Sequence, residues 1–239
     1  ADNVEAIRRF RERGGHVGIA TGRLPDKAQD LARALAADLP LIFANGALIT
    51  DPHGALLRLL GFADAADLQR MCALVMASRC AVVYVAYASP KSGEVRVQLG
   101  SCSPSLQPGE QVVKLSARGC ADHDHLFATL TGQLGRSYDV EEAGAGEQRG
   151  VSVGAAGVGK GAAIRWVAQR LGFALGQVAF VGDSGNDLSA AQVVHQGGGL
   201  CFAVANATEE LKAVCPRRTV RDNGHGALAE AIRRLLGEQ

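Results

Sequence analysis

Two aspartates four residues apart, Asp183 and Asp187, sit in VAFVGDSGNDL, directly behind an apolar run that reads as a strand. Ligands of open α/β sheets gather at the carboxyl ends of strands, and two carboxylates there repel each other unless a cation holds them. A hard divalent ion suits such a pair, since Mg²⁺ takes oxygen ligands, keeps several waters and is shared between one or two carboxylates and a substrate phosphate. The same letters also describe an Asp-rich turn that caps the next helix. A second group is Thr21, Gly22 and Arg23 in GIATGR, where a hydroxyl and backbone N–H groups at a strand end form a cradle for an anion such as phosphate. Thr-Gly after a strand is otherwise common turn chemistry. The third is Lys160 in GVGKGAAI, at the start of a helix between glycines, a place made more favourable by a nearby anion. Its plain alternative is a solvated surface lysine.

The elements that must position these groups are legible as alternation. Val4, Ile7 and Phe10 recur at helical spacing before Gly14 and Gly15, HVGIA reads as a short strand, and an amphipathic stretch from Asp26 to Ala37 as a second helix. LIFANGALIT is an apolar run broken at Asn45 and Gly46 by a turn. From Phe62 to Gly154 the texture changes to a helix over Ala63–Ser78, β-rich runs at AVVYVAYA, EVRVQL and QVVKL, a helix around His123–Leu134, and strands at SYDVEE and RGVSVG. Strands with few helices between them predict an antiparallel sheet covered by helices on one face. After Gly159 helix and strand alternate again: a helix over 160–171, the strand VAFVG, a helix over 187–194, LCFAV, and helices over 208–214 and 226–236. That order predicts a parallel sheet. The expectation is an α/β core, residues 1–61 and 155–239, split around an inserted α+β cap domain at 62–154.

The three chemical groups each fall at the end of a predicted strand or the start of the helix beyond it. In that order they resemble the haloacid dehalogenase (HAD) superfamily, and most closely its Cof-type and sucrose-phosphatase-like phosphatases, whose large cap lies between the threonine and lysine motifs. The resemblance runs from NVEAIRRFRERGGHVGIATGR through FANGALI and GKG to GDSGND, VANATEELK and DNGHGALAEAI. It implies a Rossmannoid parallel-sheet core and a Mg²⁺-dependent phosphatase. It further implies that Thr21, with Gly22 and Arg23, holds the phosphoryl group and that Lys160 neutralises phosphate and nucleophile. Asp183 and Asp187 would serve the metal, with Asn186 supporting its shell, and Asn45 and Asn206 would lie beside the substrate.

Family enzymes form an aspartyl-phosphate on a D-x-D-G-T strand, and covalent catalysis of this kind splits one hard displacement into two. No such pattern occurs in the sequence. The expectation is that the strand carrying it lies immediately upstream of Ala1, next to the helix that opens the chain. The alternative is a non-catalytic HAD-like protein that binds a phosphorylated ligand or a protein partner. GDSGND followed by VANATEEL is most like the sucrose-phosphatase-like branch, so a phosphorylated sugar or sugar conjugate is the expected substrate.

Composition narrows the partners. The 239 residues are 47% hydrophobic and 21% charged, which excludes a disordered chain, and 25 basic against 24 acidic residues leave no field to recruit nucleic acid or an anionic membrane. No apolar window is long enough to span a bilayer and the first residues lack a secretory core, so a cytoplasmic protein acting on a small phosphorylated metabolite is expected. The six cysteines form no C-x-x-C pair and read as buried or idle thiols. The HDH run at His123–His125 reads as helix capping or exposure, because adjacent helical residues point apart.

Overall fold

The computed structural model describes residues 2–100, 105–144 and 148–238. Cys102 lies outside these residues.

The chain opens with α1 (Asp2–Glu12), whose Ala6 and Ile7 are buried against Ala229 and Ile232 near the chain's other end, while Val4 is exposed. The segment His16–Ala20, expected to be a strand, makes a single parallel bridge, Ala20 to Ile42. It is held along one side by Ile42 N–H to the Ile19 carbonyl (2.8 Å) and Thr21 N–H to the Ile42 carbonyl (2.9 Å), too few bonds for a ladder. After α2 (Pro25–Ala34), β1 (Leu41–Phe43) and β2 (Leu48–Thr50) form an antiparallel hairpin around the turn Ala44–Gly46. A further strand that the sequence did not announce, β3 (Leu56–Leu59), pairs with β2.

Next come α3 (Ala65–Ala77), capped by Asp64, then β4 (Val82–Ala88), β5 (Val95–Leu99), β6 (Gln111–Arg118), α4 (His123–Leu134), β7 (Tyr138–Ala143) and β8 (Gly150–Ala155). The strands form one antiparallel sheet in the order β5-β4-β6-β8-β7. Alternation divides its two faces. Val85, Leu115, Ala117, Val151 and Val153 bury one face against Leu68, Met71, Leu126 and Leu130 of α3 and α4. Tyr84, Ala86 and Ala88 turn the other toward Leu24, Ala44 and Val158. Lys114 pairs with Ala86 but Val112 with Tyr87, so Val113 is an extra residue and β6 bulges there. Cys80 and Cys120, expected as idle thiols, are joined in a disulfide that ties the start of β4 to the end of β6, while Cys201 and Cys215 remain buried thiols.

The last part contains α5 (Lys160–Leu171), β9 (Ala179–Gly182), α6 (Leu188–Gln196), β10 (Leu200–Ala203), α7 (Glu209–Val214), β11 (Arg217–Arg218) and α8 (Ala227–Leu235). β9, β10 and β11 are parallel, in the order β11-β10-β9. The molecule is thus an α/β protein in which a parallel three-stranded sheet and a large antiparallel one face a common space.

Candidate active site

That space is a cavity of about 1680 Å³. Its floor is made by the ends of strands: Ala20 and Thr21 on one side, Val181, Gly182 and Asp183 at the end of β9 on the other, and Lys160 at the start of α5. The core-facing side of the antiparallel sheet lines it from across, through Tyr84, Lys114, Arg118, Glu141 and Ser152.

Thr21 is fixed by its backbone, which donates to Ile42 and accepts from Asn45 N–H at 3.0 Å, while its Oγ1 accepts from Arg23 N–H at 3.1 Å. A Cβ at Gly22 would stand 2.6 Å from Asn45 Oδ1, so a larger residue there would displace the Asn45 side chain. Asn45 adopts a left-handed backbone (φ 58°), which asparagine tolerates better than most residues. In that pose its Nδ2 donates to Glu141 of β7, and its Oδ1 accepts from Asn186 Nδ2 at 3.4 Å. Arg23 is exposed but borders the cavity.

Lys160 is buried, and its Nζ donates to Asp187 Oδ1 at 2.6 Å and to Asn186 Oδ1 at 3.1 Å. The close crossing of α5 on α6 needs Gly161, whose Cβ would fall 2.3 Å from the Ser189 carbonyl. Asp187 uses its other oxygen, Oδ2, to accept the backbone N–H groups of Asp183 (2.9 Å) and Ser184 (3.2 Å). Each of its oxygens thus has a partner, and Asp187 positions Lys160 and the loop that carries Asp183. Asp183 Oδ2 accepts from Asn223 Nδ2 at 2.6 Å, and among the described residues its other oxygen has no partner. A hard cation fits this donor set as one protein carboxylate completed by waters and a phosphate oxygen.

Asn206, expected beside the substrate, lies one residue removed from the cavity. It exchanges two bonds with Asn223 (3.0 and 3.1 Å), is exposed, and does not line the cavity, so it buttresses Asn223, which does. The His123, Asp124 and Glu142 cluster, the one group of potential metal ligands of its kind among the described residues, includes none of these floor residues, and its Glu142 borders the cavity. Arg149 bridges its two carboxylates at 3.0 and 2.6 Å, and His123 is buried on the Gly150 carbonyl.

Three cavity residues of the antiparallel sheet were not anticipated: Lys114, Arg118 and Glu141. Lys114 is buried and donates to the Gly22 carbonyl at 2.7 Å, and burial, with Arg118 acting in the same direction, pulls its ammonium down to about 8. Burial pushes the Glu141 carboxyl up to about 7, against the pull of Lys160 and Lys114. A signal for Lys114 and Arg118 was present in QVVKLSAR, where period-two alternation sets Lys114, Ser116 and Arg118 on one face. Nothing local pointed to Glu141.

The profile of the haloacid dehalogenase-like hydrolases matches residues 1–86 and 106–232. Among individual proteins, a phosphoglycolate phosphatase of Archaeoglobus fulgidus is 40% identical over 80 residues, which is 34% of this chain and 34% of that protein. One from Pyrobaculum aerophilum is 38% identical over 104 residues, 43% of this chain and 41% of the other. The chain thus matches between about a third and two fifths of the length of these curated relatives. In structure, a putative HAD/COF-like hydrolase of Plasmodium vivax superposes with a TM-score of 0.76 at 18% identity, covering 99% of this chain and 88% of that one. With most of its length inside the family profile and its strand ends disposed as described, the chain belongs to the haloacid dehalogenase-like hydrolase family.

Proposed function

We propose that the protein is a Mg²⁺-dependent phosphoric monoester hydrolase acting on a small phosphorylated metabolite. The observation that carries this reading is the convergence of Thr21, the buried Lys160–Asp187 pair and Asp183 on one wall of a single cavity. Thr21 Oγ1 and the N–H groups beside it hold the phosphoryl oxygens, and Lys160 neutralises their charge from a position fixed by Asp187. Asp183 would hold Mg²⁺, which when bound supplies charge neutralisation to the phosphoryl group. The family resemblance assigns the attack on phosphorus to an aspartate of a D-x-D-G-T pattern, which the sequence does not contain. Residues 1–61 and 155–239 serve as the core and 62–154 as the cap that meets the leaving group.

The family resemblance favours a sugar phosphate or sugar conjugate, while the curated relatives act, by name, on phosphoglycolate. The cytoplasm, where such metabolites are held, is the proposed location; there the Cys80–Cys120 bridge would face reducing conditions. The test is phosphate release by the natural full-length protein from a panel of sugar phosphates and phosphoglycolate, with and without Mg²⁺, alongside its intact mass. Metal-dependent release that disappears in Lys160→Met and Asp183→Asn is expected. No release from any ester, by a protein whose mass includes the aspartate-bearing segment, overturns the reading in favour of a binding protein.

A further inference from the structure

Three successive inward positions of β6, Lys114, Ser116 and Arg118, point to the cavity side of the sheet, facing the same way as their partners Ala86, Tyr84 and Val82. Each carries a polar group that the protein does not fully use. Ser116 Oγ and Arg118 Nε are buried without a hydrogen-bond partner among the described residues. Lys114 is buried on a neutral carbonyl, and among the described residues neither Lys114 nor Arg118 forms an ion pair. A buried donor left unmade costs about 1–3 kcal/mol, more when charged, so Lys114 and Arg118, which line the cavity, ask for a ligand; Ser116, between them in the strand, is fully buried and does not line it. The nearest carboxylate on this wall, Glu141, is engaged by Asn45.

We propose that this face of β6 is the specificity-determining site for the leaving group, and that Arg118 receives a second anionic group carried by the phosphorylated substrate, a carboxylate or a further phosphate. The inference rests on the reading above that the phosphoryl group lies in the Thr21 cradle, beneath Lys114. Lys114 feels Glu141 only at a distance and Arg118 forms no ion pair among the described residues, so the wall calls for negative charge, which sugar hydroxyls do not supply. A guanidinium presents the planar fork that carboxylate and phosphate oxygens fit. Lys114 and Arg118 are four residues apart, about 13 Å along an extended strand, so the second anion stands at the far end of the leaving group from the phosphoryl group.

Calorimetric titration of the full-length protein in Mg²⁺ decides the matter with two matched pairs. 6-Phosphogluconate is compared with sorbitol 6-phosphate, which differ by a carboxylate, and fructose 1,6-bisphosphate with fructose 6-phosphate, which differ by a phosphate. The anion-bearing member of at least one pair is expected to bind tenfold or more tightly, about the worth of one charged hydrogen-bonded contact. The pair that shows the preference identifies the anion. In Arg118→Met and Arg118→Gln the ratio is expected to fall to within about twofold of one. Melting temperatures confirm that the variants fold. Equal binding within both pairs by the wild type, or a preference unchanged in both Arg118 variants, overturns the proposal. A preference with no turnover of any ester would keep this inference and remove the phosphatase reading, and turnover without preference would do the reverse.

Discussion

Lys160 and Lys114 stand on opposite walls of one cavity and are equally buried, each 5% exposed. Lys160 has a carboxylate at 2.6 Å and a second oxygen at 3.1 Å, whereas Lys114 has one neutral carbonyl at 2.7 Å. The floor is a closed circuit in which Asp187 satisfies both the lysine and the loop that carries Asp183. Among the described residues the facing sheet gives its cations Lys114 and Arg118 no ion pair. Burial alone therefore does not say what a lysine does for the fold: the paired one is part of the structure, and the unpaired one is held against the fold's interest.

The sharpest way to break this contrast is Asp187→Ala. It strands a buried ammonium and frees two backbone amides, and a loss of about 3–5 kcal/mol is expected in urea unfolding. A loss below about 1 kcal/mol would show that the floor is no more closed than the opposite wall. Lys114→Met should act in the other direction. The ammonium's pKa falls from 10.5 to about 8 on folding, so the unfolded chain holds the proton more tightly. The penalty is full below pH 8 and fades as pH rises toward 10.5. The variant should gain about 3 kcal/mol at pH 7 and nothing above pH 10.5 or so, as followed by denaturation across pH.

Glu141→Gln sharpens the same point with the opposite pH dependence. Its carboxyl rises from 4.5 to about 7, so the folded state holds the proton more tightly and the penalty is absent below pH 4.5. It grows between 4.5 and 7 and is constant above. A gain of about 2 kcal/mol at pH 8, vanishing at pH 4, is expected, the figure being reduced for partial exposure. The smallest effect is that of Asn45→Ala, which places alanine in a left-handed conformation and removes the link between the two walls; about 1–2 kcal/mol should be lost in the same assay.

The floor was readable in the sequence because each of its residues sits where one local pattern gives way to another. Thr21 follows an apolar run, Lys160 opens a helix after glycines, and Asp183 ends a strand before a turn. Their chemistry could be placed without knowing what lies across the cavity. The opposite wall could not, since Lys114 meets Gly22 across 92 residues and Glu141 meets Asn45 across 96. Asp187 shows the other limit of such a reading. Its type and spacing fit a place near a metal, and only the structure adds that it also holds Lys160 and two amides. The strand expected over HVGIA fell short for a related reason: apolar composition predicts burial, while a ladder needs partners on the neighbouring backbone.

The Cys80–Cys120 bridge encloses β4, β5 and β6, a loop with a sequence separation of 40. If the chain is drawn out by its ends, as by a protease that unfolds its substrates, the load passes from sulfur to sulfur and bypasses those strands. About 14 nm of contour length is thereby hidden from the pull. While the bridge holds, Lys114, Ser116 and Arg118 belong to the part of the molecule that tension cannot reach directly.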